Sequence, residues 1–293
     1  MIIDVHAHYE PGILDLDGII RKMDQRGINK TVLISRVTDP PMYKKPGILM
    51  GIQRFIMRKS YLRPIAKILD DSFHGTKGEW NPWYRRVTGK QGMFKILQEP
   101  DNQSVAEAIR RYPDRFLGWI FVNPMNDSWV QEIDRWSKEP GMIGVKVHPF
   151  WHRYSVSKLD QVAEKVQSLG KPLLMHLGFD NIKAIAEFCA RFPELKVIFG
   201  HAGVPFYWDI WPIIKRNPHK YVDLSSHHVD QGIIAKVVDA LGPERCLFGT
   251  DDPYGESDAG RTIIRWISEM PLSLEDKEKV FSKNFIRIIG RYS

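Results

Sequence analysis

The sequence predicts an α/β chain folded as a (β/α)8 TIM barrel with an insertion between strands two and three. Three observations predict it. Eight apolar, β-branched runs recur along the 293 residues, and patterns of helical period fill the gaps between them. From the third run onward the starts lie about 25–30 residues apart, the length of a strand, a helix and two loops. Alternating strand and helix makes a parallel sheet, and eight such units suit a closed barrel better than an open sheet.

The runs, in order, are Ile2–His8, Thr31–Arg36, Phe116–Pro124, Ile143–Phe150, Pro172–Gly178, Lys196–Gly203, Tyr221–Ser226 and Cys246–Asp252. Ser104-x-x-Glu107, Ser128-x-x-Gln131, Ser157-x-x-Asp160 and Ser273-x-x-Asp276 read as helix starts. In each, a hydroxyl caps free amides and an acid or amide follows three residues later. Leu159, Val162, Ala163 and Val166 then form a core-facing stripe. The interval from Arg36 to Phe116 breaks the rhythm. Residues 37–102 read as the insertion, and the remainder forms a single barrel over 1–293. The insertion follows the C-terminal end of a strand, where barrel active sites lie, so it is expected as a lid over the mouth.

Composition excludes several classes. Hydrophobic residues make up 43% and charged residues 26%, the balance of a globular protein rather than of a disordered or fibrous one. No apolar run approaches the ~18 residues of a membrane span. The two cysteines, Cys189 and Cys246, each fall in an apolar element and imply no disulfide framework. The start, Met1-Ile2-Ile3-Asp4-Val5-His6, lacks the charged and apolar regions of a secretory signal, so a cytoplasmic protein is expected. The net charge of +7 is local: residues 37–102 hold 12 Lys/Arg against 6 Asp/Glu. A solvated basic surface, a lid attracting anionic substrates, and a nucleic-acid or membrane scaffold all fit that segment. Within it, Ile48–Leu69 could form a basic amphipathic helix broken at Pro64.

The functional signal is where polar residues fall. His6 and His8 close strand one, Lys146 and His148 strand four, His176 strand five, His201 strand six and Asp251 strand eight. Residues two apart on a strand share a face, so His6 and His8 point together, as do Lys146 and His148. Barrel closure makes strands one and eight neighbours, bringing Asp251 to the His6/His8 pair, with His176 reaching across. Three imidazoles and a carboxylate suit a divalent metal of the Zn type. An H-x-H triplet arises by chance roughly 0.3 times in such a chain, so alone it is weak. The joint placement is strong, because an unpaired buried polar group costs ~1–3 kcal/mol and packing alone would not end five strands this way. Among lesser candidates, Asp4 lies one layer deeper as a hydrogen-bond partner, and Asp252 supports a histidine or caps a loop. Arg153 is placed to hold a carboxylate in a bidentate fork. His227 and His228 follow strand seven and read as a surface loop or as lining the mouth, His74 and His219 read as loop residues, and Trp208 and Trp211 as packing.

The stretches Ile3-Asp4-Val5-His6-Ala7-His8, Gly144-Val145-Lys146-Val147-His148-Pro149, Pro172-Leu173-Leu174-Met175-His176, Phe199-Gly200-His201-Ala202-Gly203 and Leu247-Phe248-Gly249-Thr250-Asp251-Asp252-Pro253 resemble the amidohydrolase superfamily. More narrowly, they resemble the amidohydrolase-related family that includes aminocarboxymuconate semialdehyde decarboxylase. Ser282-Lys283-Asn284-Phe285 is similar to the family's terminal helix. The resemblance implies His6, His8, His176 and Asp251 as metal ligands. It implies His201 as the strand-six histidine that activates a bound water or polarises substrate. Lys146 is either a carboxylated bridge between two metals or, with one metal, a residue that faces the substrate carboxylate or supports the metal ligands from behind. Nucleases of the TatD type carry an acid there, so Lys146 counts against that activity. A homodimer is what the resemblance suggests.

Two reactions follow. One is non-oxidative decarboxylation of a small carboxylate-bearing substrate, catalysed with His201 and Asp251, with Lys146, His148 and Arg153 binding substrate. The other is hydrolysis of an amide, lactone or ester by a metal-bound hydroxide. The expected cofactor is one Zn2+, with Mn2+ or another transition metal as the alternative. The basic, aromatic insertion favours an anionic, planar substrate and the first reaction. A basic scaffold without catalysis is the non-enzymatic reading.

Overall fold

A computed structural model of the chain describes residues 1–36, 38–39, 55–65, 67, 95–180, 182–254 and 258–290. Eight parallel strands run in chain order around one sheet: β1 (Ile3–Tyr9), β2 (Lys30–Ser35), β3 (Phe116–Phe121), β4 (Met142–Val147), β5 (Leu173–Met175), β6 (Val197–Phe199), β7 (Lys220–Asp223) and β8 (Cys246–Leu247). The seam between β8 and β1 is closed by backbone hydrogen bonds. Val5 N donates to Phe248 O at 3.1 Å, Asp251 N to His6 O at 2.7 Å and His8 N to Asp252 O at 2.6 Å. This is the (β/α)8 barrel the sequence predicts, with residues 3–9 and 246–252 side by side.

Two layers of apolar side chains hold it. Val32, Ile34, Leu117, Trp119, Leu174 and Ile198 belong to a cluster inside the barrel, where the Trp119 indole N–H donates to Val5 O at 2.9 Å. The terminal helix Asn284–Ile289 adds Phe285 and Ile288 to that cluster. Full burial of a Phe is worth about 2–3 kcal/mol. Asn284 fixes this helix by donating to Pro243 O at 2.8 Å and Cys246 O at 3.0 Å. The outer cluster packs the opposite strand faces, such as Phe116, Ile120, Val145 and Val197, against the helices.

The strands end earlier than their apolar runs suggest. β5, β6 and β8 stop at Met175, Phe199 and Leu247, because their next residues turn off the sheet to face the mouth. Two helix starts also differ. Asp101, not Ser104, caps Asn102–Arg111, its carboxylate accepting from Ser104 N at 3.2 Å. Ser155, not Ser157, caps the turn before Asp160–Ser168. Ser128 and Ser273 do precede helices, and Ser273 accepts from Asp276 N at 3.1 Å.

Thr38–Asp39 pairs antiparallel with Lys95–Ile96, which joins the two roots of the insertion. Between them, residues 55–57 are helical and a 3-10 turn follows at Ser60–Leu62. The break thus falls ahead of Pro64, not at it. Arg58 pairs with Asp230 at 2.6 Å, and Arg63 pairs with Asp209 and donates to Phe206 O at 3.1 Å. The remainder of the insertion, with most of the predicted amphipathic helix and His74, lies outside the described residues. No helix among the described residues is long and apolar enough to cross a membrane.

Candidate metal centre

The polar strand ends converge. The β1 ladder slips register between Asp4 and Ala7; His6 within that slip and His8 just past it both approach Asp251. His6 Nε2 lies 3.7 Å and His8 Nε2 3.5 Å from Asp251 Oδ1. One ligand atom from each of these three buried residues falls within 4.8 Å of the others. Lys146 Nζ stands 3.4 Å from His6 Nε2. The donor chemistry, two imidazole nitrogens and one carboxylate oxygen converging in a buried pocket, fits a divalent cation.

His176 flanks this group without joining it at that spacing. Its Nδ1 meets Leu177 O at 2.9 Å, which leaves Nε2 for a ligand. Its ring stacks on His148 at 4.2 Å and meets His201 edge-on at 4.8 Å. His201 in turn stacks on His6 at 4.6 Å.

Asp223, at the end of β7, ties the histidines together. Its Oδ2 lies 2.9 Å from His6 Nδ1. Its Oδ1 accepts from His201 N at 3.0 Å, Ser225 N at 3.1 Å and Ser225 Oγ at 2.5 Å. Ser225 Oγ meets His201 Nδ1 at 2.8 Å. Sequence reasoning missed both residues; the signal available was an Asp-x-Ser closing strand seven at the level of the other polar ends.

The backbone is strained here. His201, Ala202 and Asp251 have φ of 57°, 56° and 63°, each left-handed residue costing about 1–2 kcal/mol. The surroundings hold them, through Asp223 on His201 N and His6 O on Asp251 N. Such strain gathers at functional sites. Gly249 has no room for a side chain: a Cβ would lie 2.9 Å from Ser225 Cβ and 3.1 Å from His6 Cβ.

Burial sets the charges. It pushes His201 down to about 3 and lowers His6, His8, His148 and His176, so the imidazoles are neutral at neutral pH. Burial alone would raise Asp251, but its interactions with His201, His8 and His6 outweigh it. Its carboxyl lies well below the usual carboxylate range. Asp223 is likewise held low, His6 outweighing burial. Burial brings Lys146 down to about 8 against the pull of Asp223 and Asp251. Asp4 is pushed up to about 7 by burial, although Thr250 Oγ1 donates to it at 2.6 Å and His6 N at 3.1 Å; the deeper structural role holds.

Other expected residues sort by position. His148 is buried, its Nδ1 accepting from Trp151 N at 3.1 Å. Arg153 is exposed, with its guanidinium 6.0 Å from the Phe150 ring. Asp252 pairs with Arg26 on the barrel's flank. Trp211 packs, donating to Ala202 O at 2.9 Å. His219 pairs with Glu194 at 3.2 Å. Of its two readings, His228 takes the one at the mouth. Its ionisation is depressed by burial first, then by His227, His201 and His176, which puts it beside the site. Tyr254, 4.6 Å from His8 and hydrogen-bonded to Glu10, adds an aromatic wall with Trp151.

A closed eight-stranded barrel with its histidines and acids gathered at the C-terminal strand ends is the architecture of metal-dependent barrel enzymes. A family model described as Amidohydrolase matches residues 3–291, and the chain belongs to that family. It is 24% identical over 238 residues to the gamma-resorcylate decarboxylase of Polaromonas sp. strain JS666, covering 61% of this chain and 72% of that protein. It is also 24% identical over 237 residues to the 2-amino-3-carboxymuconate-6-semialdehyde decarboxylase of Dictyostelium discoideum, covering 64% of this chain and 65% of that protein. The match thus spans just under two thirds of the second relative. The fold is similar to a crystal structure of 5-carboxyvanillate decarboxylase from Novosphingobium aromaticivorans complexed with manganese and 4-hydroxy-3-methoxy-5-nitrobenzoic acid. There the TM-score is 0.63 with 16% identity, over 99% of this chain and 96% of that one.

Proposed function

We propose that this chain is a metal-dependent carboxy-lyase that removes CO2 without oxidation from a small aromatic or unsaturated carboxylic acid. The convergence of His6, His8 and Asp251 within 4.8 Å, beside neutral His201, carries the reading. The curated relatives, both named as decarboxylases of carboxylate-bearing compounds, support it. His6, His8 and Asp251 would hold the cation, with His176 completing the set from the far side. Zn2+ suits this donor set, and Mn2+, present in the Novosphingobium protein, is the alternative. When bound, the cation supplies Lewis-acid attraction for substrate oxygens.

The chain's own residues do the rest. The carbon that bears the carboxylate takes up a proton, the bond to the carboxylate breaks and CO2 leaves. One proton must therefore be carried inward for each turnover. His201, buried and neutral opposite ionised Asp251, is the group to carry it. Lys146 places a positive charge at the floor of the site, and His148 backs His176. Trp151 and Tyr254 exclude water beside a planar ring. Arg153, exposed at the rim, meets the incoming carboxylate. In hydrolysis, the same His201 would polarise a carbonyl. Two buried, unpaired thiols, Cys189 and Cys246, suit a reducing cytoplasm, and a homodimer would follow the family resemblance.

The test is a panel of hydroxybenzoates and unsaturated diacids assayed for CO2 release, with lactones assayed for acid release. We expect CO2 from at least one acid and about one metal ion per chain. His201→Ala should keep its metal and lose at least ~100-fold in kcat, whereas His176→Ala should lose metal and turnover together. Acid release from lactones with no CO2 from any carboxylate would reject decarboxylation in favour of hydrolysis.

A further inference from the structure

We infer that Asp223 is the positioning residue of this centre, setting the tautomers of His6 and His201 together, the second through Ser225. The inference deepens the proposed function and rests on its assignment of His6 to the metal and His201 to the proton.

The argument runs on donors and acceptors. Asp223 Oδ1 takes two backbone N–H bonds, from His201 and Ser225, and a carboxylate held by such donors only accepts. His6 Nδ1, 2.9 Å from Oδ2, must therefore carry the hydrogen. That leaves the lone pair on Nε2, the atom that faces Asp251 and His8. A hydroxyl has one hydrogen, and Ser225 Oγ, 2.5 Å from Oδ1, gives it to the carboxylate. Ser225 Oγ can then only accept at its 2.8 Å contact with His201 Nδ1. So His201 also carries its hydrogen on Nδ1, and its Nε2 is a bare base. The carboxylate additionally accepts from the backbone of His201 and Ser225. It thus fixes where the His201 ring begins as well as how it is protonated. One buried acid presents two bare Nε2 atoms, from β1 and from the turn after β6, the first to bind a cation and the second to take a proton. A hydrogen-bond partner that orients a metal-ligating histidine typically changes metal affinity 10–100-fold.

Nitrogen-15 spectra of histidine-labelled, metal-free protein read the tautomers directly. We expect both His6 and His201 as the Nδ1–H form. Ser225→Ala should release His201 to a tautomer mixture and leave His6 unchanged. Its zinc affinity should hold within about 2-fold, and kcat should fall about 10–100-fold at unchanged KM. Asp223→Asn should disturb both histidines and weaken zinc binding about 10–100-fold. If Asp223→Asn does not fold, Ser225→Ala, which removes a single oxygen, decides. His201 in the Nε2–H form in the parent protein, or an unaltered His201 tautomer in Ser225→Ala, would overturn the inference. So would unchanged zinc affinity in folded Asp223→Asn. Failure of the decarboxylase reading would look different: no turnover in the parent protein, with the spectra and the zinc titration still decisive.

Discussion

His152 is buried with 6% of its surface exposed, and its Nε2 meets Leu97 O at 3.0 Å across the root of the insertion. Burial pushes it down to about 4, against the pull of that carbonyl, while an unfolded histidine titrates near 6.5. Between those values the unfolded chain binds a proton that the native state refuses. Stability therefore falls as pH drops from about 6.5 to 4, by about 1.4 kcal/mol per pH unit for one such group. His152→Gln keeps a donor for Leu97 and removes the titration. We expect urea midpoints of metal-free protein at pH 7 and pH 5 to show a shallower acid loss in the variant, by about 2 kcal/mol. Equal slopes would show that His152 protonates without opening the fold. The residue scale is also where the sequence was most and least legible. His6, His8 and Asp251 stood out because polar groups interrupt apolar strands at one level, and the barrel brings them together. Asp223 and Ser225 did not, because an acid at the end of a strand carries no mark of the partner it meets 217 residues away.

The order and kind of the elements followed from periodicity, and their ends did not. The chain leaves the sheet after Met175, Phe199 and Leu247 so that His176, His201 and Asp251 can reach the mouth, a tertiary demand that local propensity does not encode. At Asn102–Arg111 two cap signals competed, and Asp101 won because its carboxylate accepts from Ser104 N while Ser104 turns its hydroxyl to Asp101 O at 2.9 Å. β7 shows the same split within one strand. Asp223 at one end serves the site, and Lys220 at the other end is fully buried. Its ammonium donates to Phe192 O, Pro193 O and Leu195 O at 2.7, 3.2 and 2.8 Å, gathering the turn after Ile182–Arg191. Lys220→Met fills similar volume but leaves those carbonyls without their shared donor, at about 3 kcal/mol. We expect a thermal midpoint lower by roughly 6–12 °C, with zinc affinity preserved. A midpoint within measurement error of the parent would mean that other donors satisfy the turn.

Across the whole molecule, charge is unevenly placed. The excess of +7 is almost all carried between residues 37 and 102, and the described part of that segment is fastened to the rim by opposite charges. Arg58 meets Asp230 just past β7, and Arg63 meets Asp209 past β6. Both acids follow strands that supply the site, so the basic arm sits where an anionic substrate must pass. Partly exposed pairs of this kind contribute about 0–1 kcal/mol each, too little to account for the fold but enough to hold an arm. The remaining cations act at longer range, and their field is screened beyond about 10 Å at 0.1 M salt. If that field gathers carboxylates, salt must slow capture and leave the chemical step alone. We expect kcat/KM for an anionic substrate to fall several-fold between about 0.02 and 0.3 M salt, with the change in KM and kcat flat. An uncharged amide analogue used as a competitive inhibitor should show no such slope. Equal slopes for the two would assign the basic segment to holding the arm in place, not to drawing substrate in.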